Sequence, residues 1–238
     1  MMKNHTQQFL AGILLAALFL GGCGKPAEPK SFGSLDGLTV AATQDWAPVE
    51  DKQSLFEEDL DPAASSGIDL ALADKNGHYF SIERYDCQEQ LEDLRRLAAE
   101  LRQQVALQGE EGLVQNLQAQ GIDEETLSQY RTLWQCPEGE EEGLYRTLSD
   151  AAWQKQMAAA AEDYIILGQE ALTLLESETT LYEYRYTNGD KKAVHGYEAS
   201  VIWQGKFYNI SAWTSEKQFA KSQEELKSMI QSVVSAAQ

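Results

Sequence analysis

The sequence predicts an α+β fold: an antiparallel sheet of about six to seven strands with helices on both faces, plus a helical insertion at about 108–165. Three observations predict it. Segments on either side of the insertion alternate apolar and polar residues with a period of two, as half-buried strands do. Asn76-Gly77 and Asn188-Gly189 are tight-turn dipeptides between such strands. Elsewhere the apolar residues recur at spacings of three and four, the helical period. The chain has 238 residues, 43% hydrophobic and 24% charged, which suits one domain able to bury a core.

The chain opens with a polar stretch carrying one firm positive charge, Lys3, followed by the apolar run Phe9–Leu20. As a helix that run would cover ~18 Å, short of a ~30 Å bilayer core. It fits the apolar region of a secretory signal. Leu20-Gly21-Gly22-Cys23 follows, an aliphatic residue, two small ones and cysteine. This resembles the lipobox of bacterial lipoproteins. The resemblance implies a signal peptide over 1–22, cleavage before Cys23, and a diacylglyceryl group (palmitate or a similar acyl chain) on the Cys23 sulfur. Two acyl chains, at ~0.8 kcal/mol per buried methylene, anchor a protein stably. The implied location is the cell envelope: the outer membrane facing the periplasm in a Gram-negative cell, since Gly24 is not Asp, or the outer face of the plasma membrane in a Gram-positive one. Residues 23–36 read as a lipidated tether, rich in Gly, Pro, Ser and Lys and without apolar periodicity.

The folded domain is expected over 37–238. Gly37–Thr43 reads as a first strand, turned by Asp45-Trp46-Ala47-Pro48. Ile68–Leu72 and His78–Tyr85 should pair through Asn76-Gly77. A helix follows, with Asp86 and Glu89 in the manner of a capping box and Leu91, Leu94, Ala98, Leu101 and Val105 on one face. That face should lie on a sheet. In the insertion, Asp123 caps a helix to about Trp134. Pro137–Gly143 is an acidic loop expected in solvent, and a further helix runs from about Asp150 to Tyr164. Ile165–Leu175, Thr179–Tyr186, Val194–Trp203 and Lys206–Trp213 form an antiparallel meander. A closing helix starts near Ser222, with Leu226, Met229, Ile230, Val233 and Val234 on its apolar face.

Gly205-Lys206-Phe207-Tyr208-Asn209-Ile210-Ser211-Ala212-Trp213, with Ser215, Phe219 and the helix Leu226, Met229, Ile230, Ser232, resembles the PsbP-like superfamily, which includes lipoproteins of the DcrB type. Gly37-Leu38-Thr39-Val40 and Trp46 are similar too. The resemblance covers 36–107 and 165–236 and leaves the insertion out. It implies an α/β/α sandwich and an accessory or binding protein, and it brings no catalytic residue.

The charge narrows the partners. The formal net charge is −19, and removing Lys3 with the signal leaves −20. Nucleic acid is excluded, because phosphate contacts need clustered Lys and Arg. Besides Cys23 there are two cysteines, Cys87 and Cys136. They are either a disulfide closing a loop of about 50 residues, worth ~4 kcal/mol in the chain-entropy model, or two free buried thiols. His78 and His195 fall in separate strands and read as hydrogen-bonded strand residues rather than metal ligands. No nucleophile elbow, phosphate loop or zinc motif occurs, and no cofactor is expected. Tyr182, Tyr184 and Tyr186 share one strand face, with Trp203, Tyr208 and Trp213 on neighbouring strands. That aromatic face either packs under helices or forms a ligand groove. The expected function is a non-catalytic, lipid-anchored envelope protein that binds a partner protein or small ligand. The alternative is a cell-surface hydrolase using carboxylates, for which Glu83 and Glu183 lie mid-strand.

Overall fold

The computed structural model of the protein describes residues 29–50 and 67–236. The signal segment 1–22, Cys23 and the start of the tether lie outside the described residues. None of the described helices is long and apolar enough to cross a membrane.

In chain order the elements are β1 (Lys30–Gly33), β2 (Leu38–Ala42), β3 (Ala47–Pro48), β4 (Ile68–Ala73), β5 (Tyr79–Asp86), α1 (Gln88–Ala119), α2 (Glu124–Gln135), α3 (Glu141–Ala160), β6 (Glu162–Leu174), β7 (Ser177–Thr187), β8 (Ala193–Trp203), β9 (Lys206–Ser215), α4 (Glu216–Gln231) and β10 (Val234–Ser235). Seven strands form an antiparallel sheet in the order β3-β4-β5-β9-β8-β7-β6. A smaller sheet, β1-β2-β10, stands apart from it. The fold is therefore α+β, as the periodicity predicts. The β8–β9 turn places Gln204 and Gly205 both at positive φ, the geometry that matches strand twist in a two-residue hairpin.

The two sheet faces differ. Phe80, Ile82, Leu181, Ala199, Val201, Tyr208 and Ile210 point to one side and meet Phe219, Leu226, Met229 and Ile230 of α4. Leu38, Val40 and Trp46 close the edge of this main core. The opposite face lies against α3. The helices α1 and α2 have a second, smaller core of their own: Ala98, Leu101, Leu113, Leu133 and Trp134.

Several expectations need correction. Lys30–Gly33 is not tether: it pairs with β2, and Phe32 packs against the main core. The apolar face of α1 does not lie on the sheet. It meets α2, because the chain folds back at Gly109 (φ 77°, ψ 160°) and again before Asp123, giving that face a helical partner. Glu141, expected in a solvated loop, is buried in the first turn of α3, where it takes the Arg102 guanidinium at 2.9 Å and the Gly139 N–H at 2.8 Å. The closing helix begins at Glu216, directly after β9, and Ser222 sits in mid-helix. The cap at Asp123 stands: its side chain accepts from the Thr126 N–H at 2.8 Å.

Candidate functional site

Strand alternation and register decide what the α3-side face carries. One row across the sheet places Tyr184, Gly196, Trp213 and Tyr79 side by side. The next holds Tyr182, Glu198, Ser211 and Ser81. The third holds Ser200, Asn209 and Glu83. A sheet face buried under a helix normally carries aliphatic side chains. This one carries aromatic rings, small hydroxyls and two carboxyls.

Helix α3 is fixed over it by polar contacts. Arg146, Asp150, Trp153 and Met157 recur at helical spacing and share a face. Arg146 donates to Thr179 Oγ1 at 3.1 Å and lies 3.5 Å from the Asp150 carboxylate. Ser200 donates to Asp150 in a short hydrogen bond. Trp153 Nε1 donates to Glu198 Oε2 at 2.9 Å.

The fit leaves space. A cavity of about 410 Å³ is lined by Tyr79, Glu83, Trp153, Met157, Tyr164, Tyr184, Tyr186, Glu198 and Trp213, among others. Asn188, Gly189 and Lys192 of the β7–β8 turn, with Gly77 and Gln218, also line it. A second cavity of about 380 Å³ shares the Trp153 and Glu198 walls. The rings form ordered walls: Tyr79 stacks on Trp213 with centroids 5.7 Å apart, and Tyr184 lies between Tyr164 (6.3 Å) and Tyr186 (6.1 Å). Gly196 is needed here. A Cβ on it would stand 2.6 Å from the Ala212 carbonyl, 2.7 Å from Trp213 Cβ and 2.9 Å from the Tyr184 hydroxyl.

The carboxyls are perturbed by this setting. Burial pushes Glu83 up to about 7, opposed by the Tyr85 hydroxyl, which donates to it at 2.8 Å. Burial pushes Glu198 up to about 8, with Glu83 and Asp150 adding to the rise against the Trp153 and Asn209 hydrogen bonds. Burial also raises Asp150, against Ser200 and Arg146. Ser81 Oγ and Tyr164 Oη are buried with no hydrogen-bond partner.

The aromatic residues singled out in the sequence divide between the two faces. Tyr184, Tyr186 and Trp213 line the cavity, while Tyr182 shares their face beside Glu198 without lining it. Tyr208 and Trp203 do not belong to this face. Tyr208 is the cross-strand partner of Val201, so it enters the main core with Trp203 packed on it at 6.1 Å. Glu83 does face a cavity. Glu183 points the other way and lies 2.9 Å from His195 Nε2, with Glu216 at 2.8 Å from Nδ1. Cys87 and Cys136 are free buried thiols, not a bridge. Each lies near a different carbonyl, Gly205 O at 3.5 Å and Pro137 O at 3.6 Å, and burial raises both thiols.

Sequence reasoning missed Glu198, Asp150, Trp153 and Gly196. A signal existed for Glu198: it sits at the centre of a strand whose same-parity neighbours are Val194, Gly196, Ser200 and Ile202. It missed a hydrogen-bonded chain as well. Asp74 Oδ2 lies 3.0 Å from His78 Nδ1, and His78 Nε2 lies 2.7 Å from Ser222 Oγ. The order matches a Ser-His-Asp triad, but Ser222 is buried between α4 and the β4–β5 hairpin and lines neither cavity. Its geometry is that of a latch joining helix to hairpin. Among the described residues no group of three or more His, Cys, Asp or Glu is placed to hold a metal ion.

No family model matches the chain, and no curated protein matches it in sequence. Solved structures that resemble it include the PsbP-like protein CyanoP of the cyanobacterium Synechocystis sp. PCC 6803. The TM-score is 0.45 at 16% identity, over 90% of this chain and 97% of that one. A protein of unknown function from Pseudomonas aeruginosa, PA94, aligns with a TM-score of 0.37 at 7% identity, over 89% of this chain and 100% of that one.

Proposed function

We propose that this protein is a lipid-anchored, non-catalytic binding protein of the bacterial cell envelope, and that it holds a small ligand in the cavity between α3 and the sheet. The observation that carries the ligand reading is the cavity itself. Its volume of about 410 Å³ falls in the ~300–1,000 Å³ range of small-molecule sites. It is walled by aromatic rings and holds a few convergent polar groups, the usual make-up of such a site. The anchor rests on Leu20-Gly21-Gly22-Cys23. A ligand-binding domain so tethered would work close to the membrane surface.

Ala161, at the cavity wall where α3 meets β6, offers a test. The full chain purified from membranes and sprayed intact into a mass spectrometer should carry added small-molecule mass. Ala161→Trp, which plugs the cavity from its wall, should lose it while keeping the wild-type circular dichroism. Equal retention by the plugged variant contradicts a ligand in this cavity. For the anchor, Cys23→Ser should remain uncut and leave the processed membrane fraction.

A second reading is favoured by one observation: Glu83 and Glu198 are both buried in the lining of one cavity, where burial pushes them up to about 7 and about 8. Carboxyls so tuned can serve as acid and base in a hydrolase. Glu83→Gln and Glu198→Gln assayed against envelope substrates decide it. An activity present in the wild type and lost in both variants would replace the binding reading.

A further inference from the structure

We infer that the cavity beneath α3 takes a small organic cation, an amine or quaternary ammonium with an apolar body, held between its aromatic walls and the Glu83 and Glu198 carboxyls. This rests on the ligand-binding reading above and names the class of ligand.

The walls supply the first half of the argument. Tyr79, Tyr164, Tyr184, Tyr186, Trp153 and Trp213 surround one space. Aromatic faces carry negative electrostatic potential and attract cations, most strongly where water is excluded, and cages of such rings are a recurrent means of binding ammonium groups. The polar groups supply the second half. Glu83 and Glu198 are buried, and each has neutral hydrogen-bond donors for partners: the Tyr85 hydroxyl for one, Trp153 Nε1 for the other. The cations nearby are committed elsewhere. Arg146 serves Asp150 and Thr179, and Lys192 in the cavity lining pairs with Asp190 at 2.7 Å. Ser81 Oγ, fully buried between Tyr79 and Glu83 on the same face, and Tyr164 Oη in the cavity wall have no partner. An anion would meet two acids and no free guanidinium. A neutral apolar guest would leave the Ser81 and Tyr164 hydroxyls without partners and draw nothing from the acids. A metal ion would want more oxygen ligands in one shell than these two carboxyls offer, and among the described residues no group of three or more His, Cys, Asp or Glu is placed to hold one. An organic cation satisfies rings and acids together.

Binding is then coupled to proton release. The empty site holds protons on Glu83 and Glu198 near neutral pH, because burial disfavours their charge. A cation favours the charged form. Affinity should therefore rise with pH between about 6 and 9. The groups facing the pair are Tyr85, Tyr164, Tyr184, Asn209, Asp150 and Trp153, and none of them adds positive charge in that range.

The test titrates the full chain with benzyltrimethylammonium and choline, following the fluorescence of Trp153 and Trp213 and the heat of binding. The neutral choline isostere 3,3-dimethylbutan-1-ol and the anion 3-phenylpropionate serve as matched probes. The cations should bind at least ~10-fold tighter at pH 8.5 than at pH 6.5, and Glu83→Gln or Glu198→Gln should each weaken them by about tenfold or more. Both Gln variants keep shape and hydrogen-bonding capacity, and their thermal melts confirm folding. If the neutral isostere or the anion binds as tightly as the cations, and Ala161→Trp abolishes it, the cation assignment fails while the ligand cavity stands. If no probe binds at either pH, the inference is overturned. The mass measurement on membrane-purified protein then decides separately whether the cavity binds anything.

Discussion

The two faces of the seven-stranded sheet are built from the same strands and answer different demands. The α4 side is apolar and packed, with Phe80, Ile82, Ala199, Val201, Tyr208 and Ile210 of the sheet buried in one cluster with Phe219, Leu226 and Ile230 of α4. The α3 side is aromatic and acidic, and it leaves a cavity of about 410 Å³. Close packing stabilises a domain, and polar groups buried without matching charge weaken it. A chain that builds one face for packing and leaves the other partly unfilled can keep stability and, on the proposed reading, recognition on separate faces. The difference teaches that the main core carries the packing of the sheet and leaves the opposite face free to hold a cavity.

The largest expected effect removes packing from the α4 side. Ile210→Ala should lower unfolding free energy by ~2–5 kcal/mol. The cavity face should keep its probe binding as long as the protein is folded, which denaturant titration and fluorescence together report. If binding is lost in step with stability at temperatures where the variant is folded, the two faces are not separable.

Gly196→Ala attacks the α3 side where it is tightest. The added Cβ meets the Ala212 carbonyl and the Trp213 side chain below 3 Å, so the strands or the Tyr184 ring must move. Overpacking of this kind costs ~1–3 kcal/mol. Thermal unfolding should show it, with a change in near-ultraviolet circular dichroism from the displaced aromatics. A variant as stable as the wild type would mean the face is looser than the geometry indicates.

The carboxyls sharpen the contrast through pH. In the folded chain Glu83 and Glu198 hold protons to about 7 and 8, while in the unfolded chain they lose them near ~4.3. Between those values the folded state binds more protons, so stability falls as pH rises. The loss should be on the order of a few kcal/mol from pH 5 to pH 8.5. The double variant Glu83→Gln/Glu198→Gln should flatten that slope and raise the melting temperature at pH 8.5. Asp36 behaves oppositely: Lys206 and Arg84 hold it at about 2, so its contribution is lost only in strong acid. An unchanged slope in the double variant would place the pH dependence elsewhere.

The smallest effect concerns the Asp74–His78–Ser222 chain. Ser222→Ala removes one hydrogen bond and leaves His78 Nε2 without that partner, which should cost ~1–3 kcal/mol, near the low end because the helix and hairpin keep their apolar contacts. Probe binding at the cavity should be untouched. A change in binding would link the latch to the site.

Much of the fold was legible because strand periodicity is a local property. Asn76-Gly77, Tyr182–Tyr186 and Leu226–Ile230 each declare their element within a few residues. The partition of the aromatics was not legible, since it depends on register. Trp203 and Tyr208 look like neighbours of Trp213 along the chain, but only the pairing of Val201 with Tyr208 shows that they point into the main core. The place of α1 was hidden for a similar reason: its apolar stripe fits a sheet or a helix equally, and the turn at Gly109 and the return of α2 decide between them. Of the site, Glu83 and three of the six aromatic residues were in view from the sequence. Glu198, Asp150 and Trp153 emerge only when α3 is laid across β8.

The proposed reading makes the α3-side face an acid-bearing binding site rather than a second packing face. Side-chain carboxyl NMR of the ¹³C-glutamate-labelled full chain tests it most directly, with Glu83→Gln and Glu198→Gln assigning the signals. Titration midpoints near 7 for Glu83 and near 8 for Glu198 are predicted, with both falling when benzyltrimethylammonium is added. Midpoints in the ordinary carboxylate range, unmoved by the cation, would contradict it.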